Sequence, residues 1–187
     1  AAKSDAYESL RSLTCSSRGC GEWITMPLAL PNPTGPVFCL SPELWAEGLA
    51  ESRLSPRRRM LLPIHRQQED LVQRMMNFLQ PGTYVRGHQH PRDWASETIL
   101  VLSGELGFVV FDEEGNPLEV HRLGVGGLID IEARVWHGVL ALAADTVILE
   151  IKRGPYDDRD KVFADWAPEE DSEEAPAYLN WLVNLFP

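Results

Sequence analysis

The sequence has 187 residues, of which 44% are hydrophobic and 24% charged, and its formal net charge is −11. These values are typical of a single water-soluble globular domain. No apolar run approaches the ~18 residues that span a membrane, and the negative charge argues against nucleic acid as a partner. No signal-peptide pattern opens the chain and the cysteine count is odd, so we expect a cytoplasmic protein in which Cys15, Cys20 and Cys39 are free thiols.

Composition divides the chain into four segments of a single domain. The N-terminal segment is rich in Ser, Gly and Pro, which predicts an extended lead-in. Ser41 as N-cap and Pro42 at the first helical position then predict a helix that reaches about Arg53. The expected segments are a lead-in (1–40), a helix and basic loop that pack on a barrel (41–70), the β-barrel (71–155), and an acidic loop with a C-terminal helix (156–187).

Short strands dominate the middle of the chain. Apolar and β-branched runs recur at intervals of roughly 8–12 residues, separated by turn residues, a pattern typical of β-sandwiches and barrels. We expect strands at residues 71–79, 97–102, 105–111, 117–123, 128–131, 135–142 and 146–152. An apolar stripe at helical spacing predicts an amphipathic helix near residues 175–186.

Two segments carry opposite charge. Eight arginines and two acidic residues lie between Arg53 and Arg92, whereas nine acidic and two basic residues lie between Asp157 and Glu174. The simplest interpretation of Arg57–Arg59 is a solvated loop. The acidic stretch is interpreted as a solvated loop that covers the barrel.

The stretch with the clearest chemistry runs from Gly82 to Gly104. His88 and His90 are two residues apart, so in an extended strand both imidazoles point to the same face. A loop then leads to Glu97, which opens the next apolar strand. The arrangement predicts that two imidazoles and a carboxylate meet across a hairpin.

His137 is a candidate fourth ligand, 40 residues after Glu97 in another strand–turn–strand stretch. Imidazole suits Zn, Cu, Fe and Ni, while a carboxylate also accepts Mn. A lone histidine is usually structural, but three imidazoles and a carboxylate form a ligand set. We therefore expect one divalent transition metal (Zn, Ni, Mn or Fe) bound by His88, His90, Glu97 and His137.

These spacings resemble the first motif of the cupin superfamily. That motif is Gly, five residues, His-x-His, three or four residues, Glu, six residues and Gly. The chain matches it, with a six-residue spacer before the glutamate, at Gly82, His88, His90, Glu97 and Gly104.

The second cupin motif is matched in spacing but only partly in residue type. Counted from Gly126, His137 is kept, whereas Glu132, Arg134 and Ala141 replace Pro, Gly and Asn. The resemblance implies a mainly β protein with the cupin double-stranded β-helix (jelly-roll barrel), an N-terminal helix and a C-terminal helix. It also implies a homodimer and a small-molecule ligand.

Further landmarks resemble the WbuC family of cupin-fold metalloproteins over roughly residues 40–182. They are Ser55-Pro56-Arg57-x-Arg59, His65, the Val72–Met75 run, PGTYVRGHQHP, ILEIKRGPY and FADWAPEE. Members of that family usually carry Pro where this chain has Gly87. The resemblance implies a link to bacterial surface-polysaccharide gene clusters, without an established reaction.

Together, ligand set and resemblance favour a metal-binding cupin that acts on or binds a sugar or sugar phosphate, in the manner of an isomerase or epimerase. Two alternatives stay open. The same ligands serve O₂ chemistry, which would make the protein an Fe(II)-dependent dioxygenase. A non-catalytic sugar-binding or regulatory cupin would use the pocket without turnover.

Arg86 and Tyr84, which precede the motif histidines, are candidates for contact with an anionic or sugar ligand. Arg86 lies two residues before His88, so we expect it on the same strand face. A guanidinium there can hold a carboxylate or phosphate through a bidentate pair. Tyr84 has the same parity, and its polar ring suits a sugar.

Three other pocket candidates rest on weaker grounds. His65 and Arg74 are implied by the WbuC resemblance, although spacing alone favours an ordinary surface or core position for His65. Trp136 adjoins His137, but aromatic packing in the barrel explains it equally well.

Overall fold

The computed structural model describes residues 27–186, so Cys15, Cys20 and most of the expected lead-in lie outside the described residues. The described elements are two α-helices, ten strands and a short 3₁₀ helix. They are α1 (Pro42–Leu54), β1 (Arg59–Pro63), β2 (Val72–Leu79), β3 (His88–Gln89), β4 (Glu97–Ser103), β5 (Leu106–Phe111), β6 (Pro117–Leu123), β7 (Leu128–Ile131), β8 (Trp136–Ala141), β9 (Thr146–Arg153), the 3₁₀ helix (Asp158–Asp160), β10 (Val162–Phe163) and α2 (Ala175–Val183). Within this range neither helix combines the length and the apolar character needed to cross a bilayer.

The ten strands form two five-stranded antiparallel sheets. The first has the order β1-β2-β9-β4-β7 and the second the order β10-β3-β8-β5-β6. From β2 to β10 the chain changes sheet at every step except the β5–β6 hairpin. This alternating wrap is the double-stranded β-helix of cupins, and it confirms the predicted jelly roll with a helix near each end.

Helix α1 begins where the sequence predicts and ends one residue later. The Ser41 hydroxyl accepts a hydrogen bond from the Leu44 amide at 3.2 Å, and Pro42 stands in the first turn, where its missing N–H leaves no bond unmade. Leu44, Trp45 and Leu49 pack on the outer face of the first sheet. The helix therefore covers that sheet, as its sequence pattern indicates.

Alternation along each strand separates the space between the sheets from the outer layers. On β5, Leu106 and Phe108 point inward and join an interior cluster that includes Ile148 of β9. Val109 and Phe111 point outward and pack under α2. Because the side-chain period is two, this register decides which residues can reach an interior site.

Two strands lie where the sequence predicts loops. β1 pairs with β2, and the side chain of Arg59 at its start is only 12% exposed and is paired with Glu170. Arg57 is 28% exposed, so the interpretation of Arg57–Arg59 as a solvated loop is wrong for two of its three residues. β10 lies in the acidic segment and pairs with β3, so this segment is more than a covering loop. Both strands are ordered by partners distant in sequence.

Candidate metal centre

The two glycines that close the histidine motif have left-handed backbone conformations. The φ angle is +95° at Gly82 and +71° at Gly104, a region that residues with a β-carbon rarely adopt. At Gly104 a β-carbon would also lie 2.5 Å from the Thr146 hydroxyl oxygen. The turns at Gly82 and Gly104 lie before β3 and after β4, and so fix the ends of the segment that carries the histidine motif.

Four buried side chains converge between the sheets. His88 begins β3 directly opposite His137 of β8, His90 follows two residues later, and Glu97 begins β4 in the facing sheet. One donor atom from each lies within 4.8 Å of all the others, and no member is more than 6% exposed. The structure therefore brings together all four predicted ligands, called the His/Glu cluster below.

Backbone carbonyls orient each imidazole of the His/Glu cluster. The Nδ1 atoms of His88, His90 and His137 lie 3.0, 2.6 and 2.8 Å from the carbonyl oxygens of Arg86, Asp160 and Val135. A carbonyl only accepts hydrogen bonds, so each Nδ1 carries a proton and donates it. The Nε2 atoms are then available as ligands, which is how metal-binding histidines are usually held.

The cluster fits a cation at its centre. With Nδ1 donating to Asp160, the Nε2 atom of His90 lies only 2.8 Å from Glu97 Oε2, and a nitrogen and a carboxylate oxygen so close require a proton or a metal ion between them. His137 Nε2 is buried and makes no hydrogen bond with the described residues. Its nearest charged neighbour is Glu97 Oε2 at 3.9 Å. A metal ion would satisfy both groups.

Burial and neighbouring charges set the protonation states. Burial lowers the pKa of His88 well below its ordinary value, and the charge of Lys161 lowers it further. Burial also lowers the pKa of His137, against the attraction of Glu97. Burial favours a higher pKa for Glu97, but the contact with His90 and the nearby basic groups, Lys152 among them, hold that pKa below its ordinary value. Neutral imidazoles and an ionised carboxylate are the forms that bind metals.

Sequence reasoning missed a polar wall beside the cluster, formed by Asn77, Glu150 and Lys152. Lys152 on β9 stands directly opposite Glu97 on β4. Its Nζ lies 3.3 Å from Glu150 Oε1, and Asn77 of β2 donates to Glu150 Oε2 at 2.9 Å. Glu150 and Lys152 are two and four residues after Ile148, which is buried inside the barrel, and alternate side chains of a strand point to the same face. Strand alternation would therefore have predicted that both charged side chains point inward.

The turn before β8 keeps its shape without the motif glycine. Arg134 stands at the glycine position and has φ +66°, a conformation that costs a residue with a β-carbon about 1–2 kcal/mol. Its amide donates to the carbonyl of His90 at 2.8 Å, and its guanidinium pairs with Asp93. These contacts tie the turn to the ligand strand, so His137 is in place despite the lost glycine.

Tyr84 and Trp136 lie outside the barrel interior, contrary to expectation. Both pack with Leu182 in the cluster under α2, and the Tyr84 hydroxyl donates to the carbonyl of Pro168 at 2.9 Å. Trp136 is adjacent to His137 on a strand, and adjacent residues point to opposite faces. The two rings therefore support the outer face of the second sheet.

Of the other predicted pocket residues, Arg86 is engaged elsewhere, Arg74 lies on the surface and His65 is buried. The Arg86 guanidinium donates to the carbonyl of Ala164 at 3.1 and 2.7 Å, so it anchors the acidic segment. Arg74 is exposed and lines a surface groove with Arg66. His65 is 3% exposed; its Nδ1 lies 2.9 Å from the Arg74 carbonyl oxygen, and its Nε2 has no partner among residues 27–186. Burial lowers the pKa of His65.

A family model described as a domain of unknown function (DUF6016) matches residues 40–123. No curated protein matches the sequence. Among solved structures, the chain is similar to the formate complex of oxalate decarboxylase from Lactobacillus farciminis (17% identity, 50% of this chain and 27% of that chain, TM-score 0.42) and to the Bacillus subtilis oxalate decarboxylase at pH 4.6 (19%, 51% and 24%, 0.43). It is also similar to KdgF from Halomonas sp. (19%, 54% and 81%, 0.43).

The chain spans about a quarter of the length of these oxalate decarboxylases. At these identities and scores, no reaction carries over from them. The strand order and the donor set, taken together, define a cupin-type jelly-roll fold with a candidate metal centre.

Proposed function

We propose that the His/Glu cluster binds one divalent transition metal and that the protein uses this metal to bind or transform a sugar or sugar phosphate. The observation that supports the metal is the shared orientation of three buried imidazoles. Each Nδ1 faces a backbone carbonyl, and the Nε2 atoms and a carboxylate face one another within 4.8 Å. Zn, Ni, Mn and Fe all accept this donor set.

The polar wall supports a hydroxyl-rich ligand. Asn77, Glu150 and Lys152 line the interior next to the cluster and offer the donors and acceptors that sugar hydroxyls need. A bound divalent metal would supply Lewis acidity, polarising a carbonyl or activating a water. The WbuC resemblance motivates the sugar class and an isomerase- or epimerase-like reaction in surface-polysaccharide metabolism, and a homodimer.

Elemental analysis of the purified full chain tests the metal. We expect about one equivalent per chain in the wild type and none in His88→Ala or His137→Ala, because each variant removes a ligand. His121→Ala is the matched control, since this side chain is 41% exposed and pairs with Glu119 instead. Equal metal in all four proteins, or none in the wild type after reconstitution, would contradict the proposal.

Unfolding measurements give a second readout that needs no substrate. Metal at about 100 times its Kd stabilises the native state by about 2.7 kcal/mol. We expect this gain in chelator-treated wild type after metal is restored, and not in His90→Ala. A gain that persists in His90→Ala would place the metal outside the cluster.

NMR with a panel of sugars and sugar phosphates tests the reaction. Product formed by the wild type and not by His137→Ala would support an enzyme. Saturable binding without product would favour a binding module. Oxygen uptake with Fe(II), without conversion of any sugar or sugar phosphate, would contradict the proposal and favour an Fe(II)-dependent dioxygenase.

A further inference from the structure

Lysine is scarce in this chain and concentrated at the pocket. Of its 17 basic residues only three are lysines, Lys3, Lys152 and Lys161. Lys152 is part of the polar wall opposite Glu97. Lys161 comes from the acidic segment, immediately before β10. Both lysines of residues 27–186 thus approach the same interior from different directions.

Strand register brings Lys161 to the side of the ligand histidines. Phe163 of β10 is directly opposite His88 of β3, and opposed residues of an antiparallel pair point to the same face. Lys161 is two residues earlier in extended backbone, so it has the parity of Phe163. Its Nζ lies 5.9 Å from the Phe163 ring centre, which is 6.2 Å from the His88 ring.

A backbone contact fixes this approach. The carbonyl of Asp160, next to Lys161, accepts the hydrogen bond from His90 Nδ1 at 2.6 Å. The segment that carries Lys161 is therefore attached to a ligand of the cluster. The influence of its charge on His88 is consistent with this placement.

Of the two lysines in residues 27–186, Lys161 is the one without a direct ion pair to a described residue. The Lys152 ammonium is paired with Glu150 and the Glu97 carboxylate with His90. No carboxylate oxygen of the described residues lies within 4.0 Å of Lys161 Nζ, which is half-buried. Burial, and then the like charge of Lys152, lower the pKa of Lys161, against the attraction of the Glu150 and Glu97 carboxylates.

The charges of the pocket favour an anion. The ammonium groups of Lys152 and Lys161 balance the carboxylates of Glu97 and Glu150. A divalent metal would therefore leave its charge uncompensated in a partly buried space, although the whole chain is strongly acidic. An anionic ligand oxygen would offset this charge and would accept a hydrogen bond from the Lys161 ammonium.

We propose that Lys161 binds an anionic oxygen group, a carboxylate or a phosphate, on the ligand of the His/Glu cluster. This inference rests on the proposed function and narrows its substrate class to acidic or phosphorylated compounds. It assigns to Lys161 the role expected of Arg86, whose guanidinium is bound to the carbonyl of Ala164. The acidic segment would then contribute a ligand-contacting side chain.

Calorimetric titration with inorganic phosphate and with acetate tests this assignment on the metal-loaded full chain. A hydrogen bond to a charged group corresponds to a change of about 10- to 100-fold in affinity. We expect Lys161→Met to weaken binding of the preferred anion by that factor and Lys161→Arg to keep most of it. The preferred anion distinguishes a carboxylate ligand from a phosphate ligand.

Arg159→Gln is the matched control, because it removes the same charge from the same segment at a side chain that is 80% exposed. Its anion affinity should equal that of the wild type. Unchanged affinity in Lys161→Met, an equal loss in Arg159→Gln, or no binding of either anion to the wild type would overturn the inference. Metal content and thermal unfolding are measured on the same samples. A wild type without metal contradicts the proposed function, whereas a metal-loaded wild type whose anion affinity does not depend on Lys161 contradicts only the inference about Lys161.

Discussion

The barrel interior has two halves built from the same strands. Directly opposed pairs on β4 and β9 run from Val101 and Ile148, through Ile99 and Glu150, to Glu97 and Lys152. Both strands thus change from apolar to charged in the same direction. We call the end around Ile148 and Phe108 the apolar half, and the end with the His/Glu cluster and polar wall the polar half.

The two halves contribute oppositely to stability. Apolar side chains that leave water stabilise the fold in proportion to the area they bury. Buried charges cost free energy unless each is paired, so the polar half is retained at the expense of stability. Local disagreement with the rules of core packing is what a functional site is expected to show. The comparison can be tested by substitutions in each half.

Ile148→Ala should give the largest loss of stability. The side chain is 2% exposed, and truncating a buried isoleucine costs about 2–5 kcal/mol through lost transfer energy and the cavity it leaves. Urea unfolding measures the change, and metal content should stay near one equivalent. Glu150→Gln, two residues along the same inward row, is the matched control. A larger loss of unfolding free energy in Glu150→Gln than in Ile148→Ala would contradict the view that the apolar half contributes most of the stability.

Lys152→Met tests whether the polar half depends on charge pairing. The substitution leaves Glu150 without its ion-pair partner, and an unsatisfied buried group costs about 1–3 kcal/mol. Adding Glu150→Gln should recover part of the loss, since the double variant no longer buries that unpaired carboxylate. Arg153→Met is the control, because the neighbouring side chain is exposed and its loss should cost less than about 0.5 kcal/mol. No recovery in the double variant would refute the pairing.

Gly87→Ala should have the smallest effect, at the rim of the polar half. A β-carbon at Gly87 would lie 2.8 Å from the Trp166 ring, so the ring must shift, at a cost of about 1 kcal/mol. Gly124→Ala is the control, because the space around that glycine is open. Denaturant unfolding followed by tryptophan fluorescence compares the two. Equal stabilities would show that Trp166 moves freely and does not hold β3.

Short-range signals were enough to predict the barrel and the convergence of the four side chains of the His/Glu cluster. Helix α1 could be predicted because its cap and first turn are local, at Ser41 and Pro42. The His/Glu cluster could be predicted because an alternating strand and a fixed motif spacing place His88, His90 and Glu97. The lack of the motif glycine at Arg134 had no effect on the turn, since contacts to His90 and Asp93 support its left-handed backbone.

The residues whose positions differ from the prediction show which structural features cannot be inferred from local sequence patterns. Tyr84 was assigned by strand parity, but residues 84–87 are not in a strand, so alternation does not apply there. Trp136 could have been excluded, because it adjoins an inward histidine. Strand β1 was not predicted because it begins in a run of arginines that is typical of a solvated loop. The pairing of Arg59 with Glu170, 111 residues away, cannot be read from the local sequence. Lys161 was hidden for the same reason, because the two-residue strand β10 exists only through its pairing with β3.

The scarcity of lysine has a consequence for chemical modification. Lys3 is the only lysine side chain that amine-directed reagents find besides Lys152 and Lys161, while arginines supply the rest of the basic side chains. Burial, and then the charge of Lys152, lower the pKa of Lys161, which favours the nucleophilic amine form relative to that of an exposed lysine. Acylation of Lys161, read by mass spectrometry with and without a bound ligand, would report directly on occupancy of the pocket, and the same reactivity would suit the attachment of a spectroscopic label beside the metal centre.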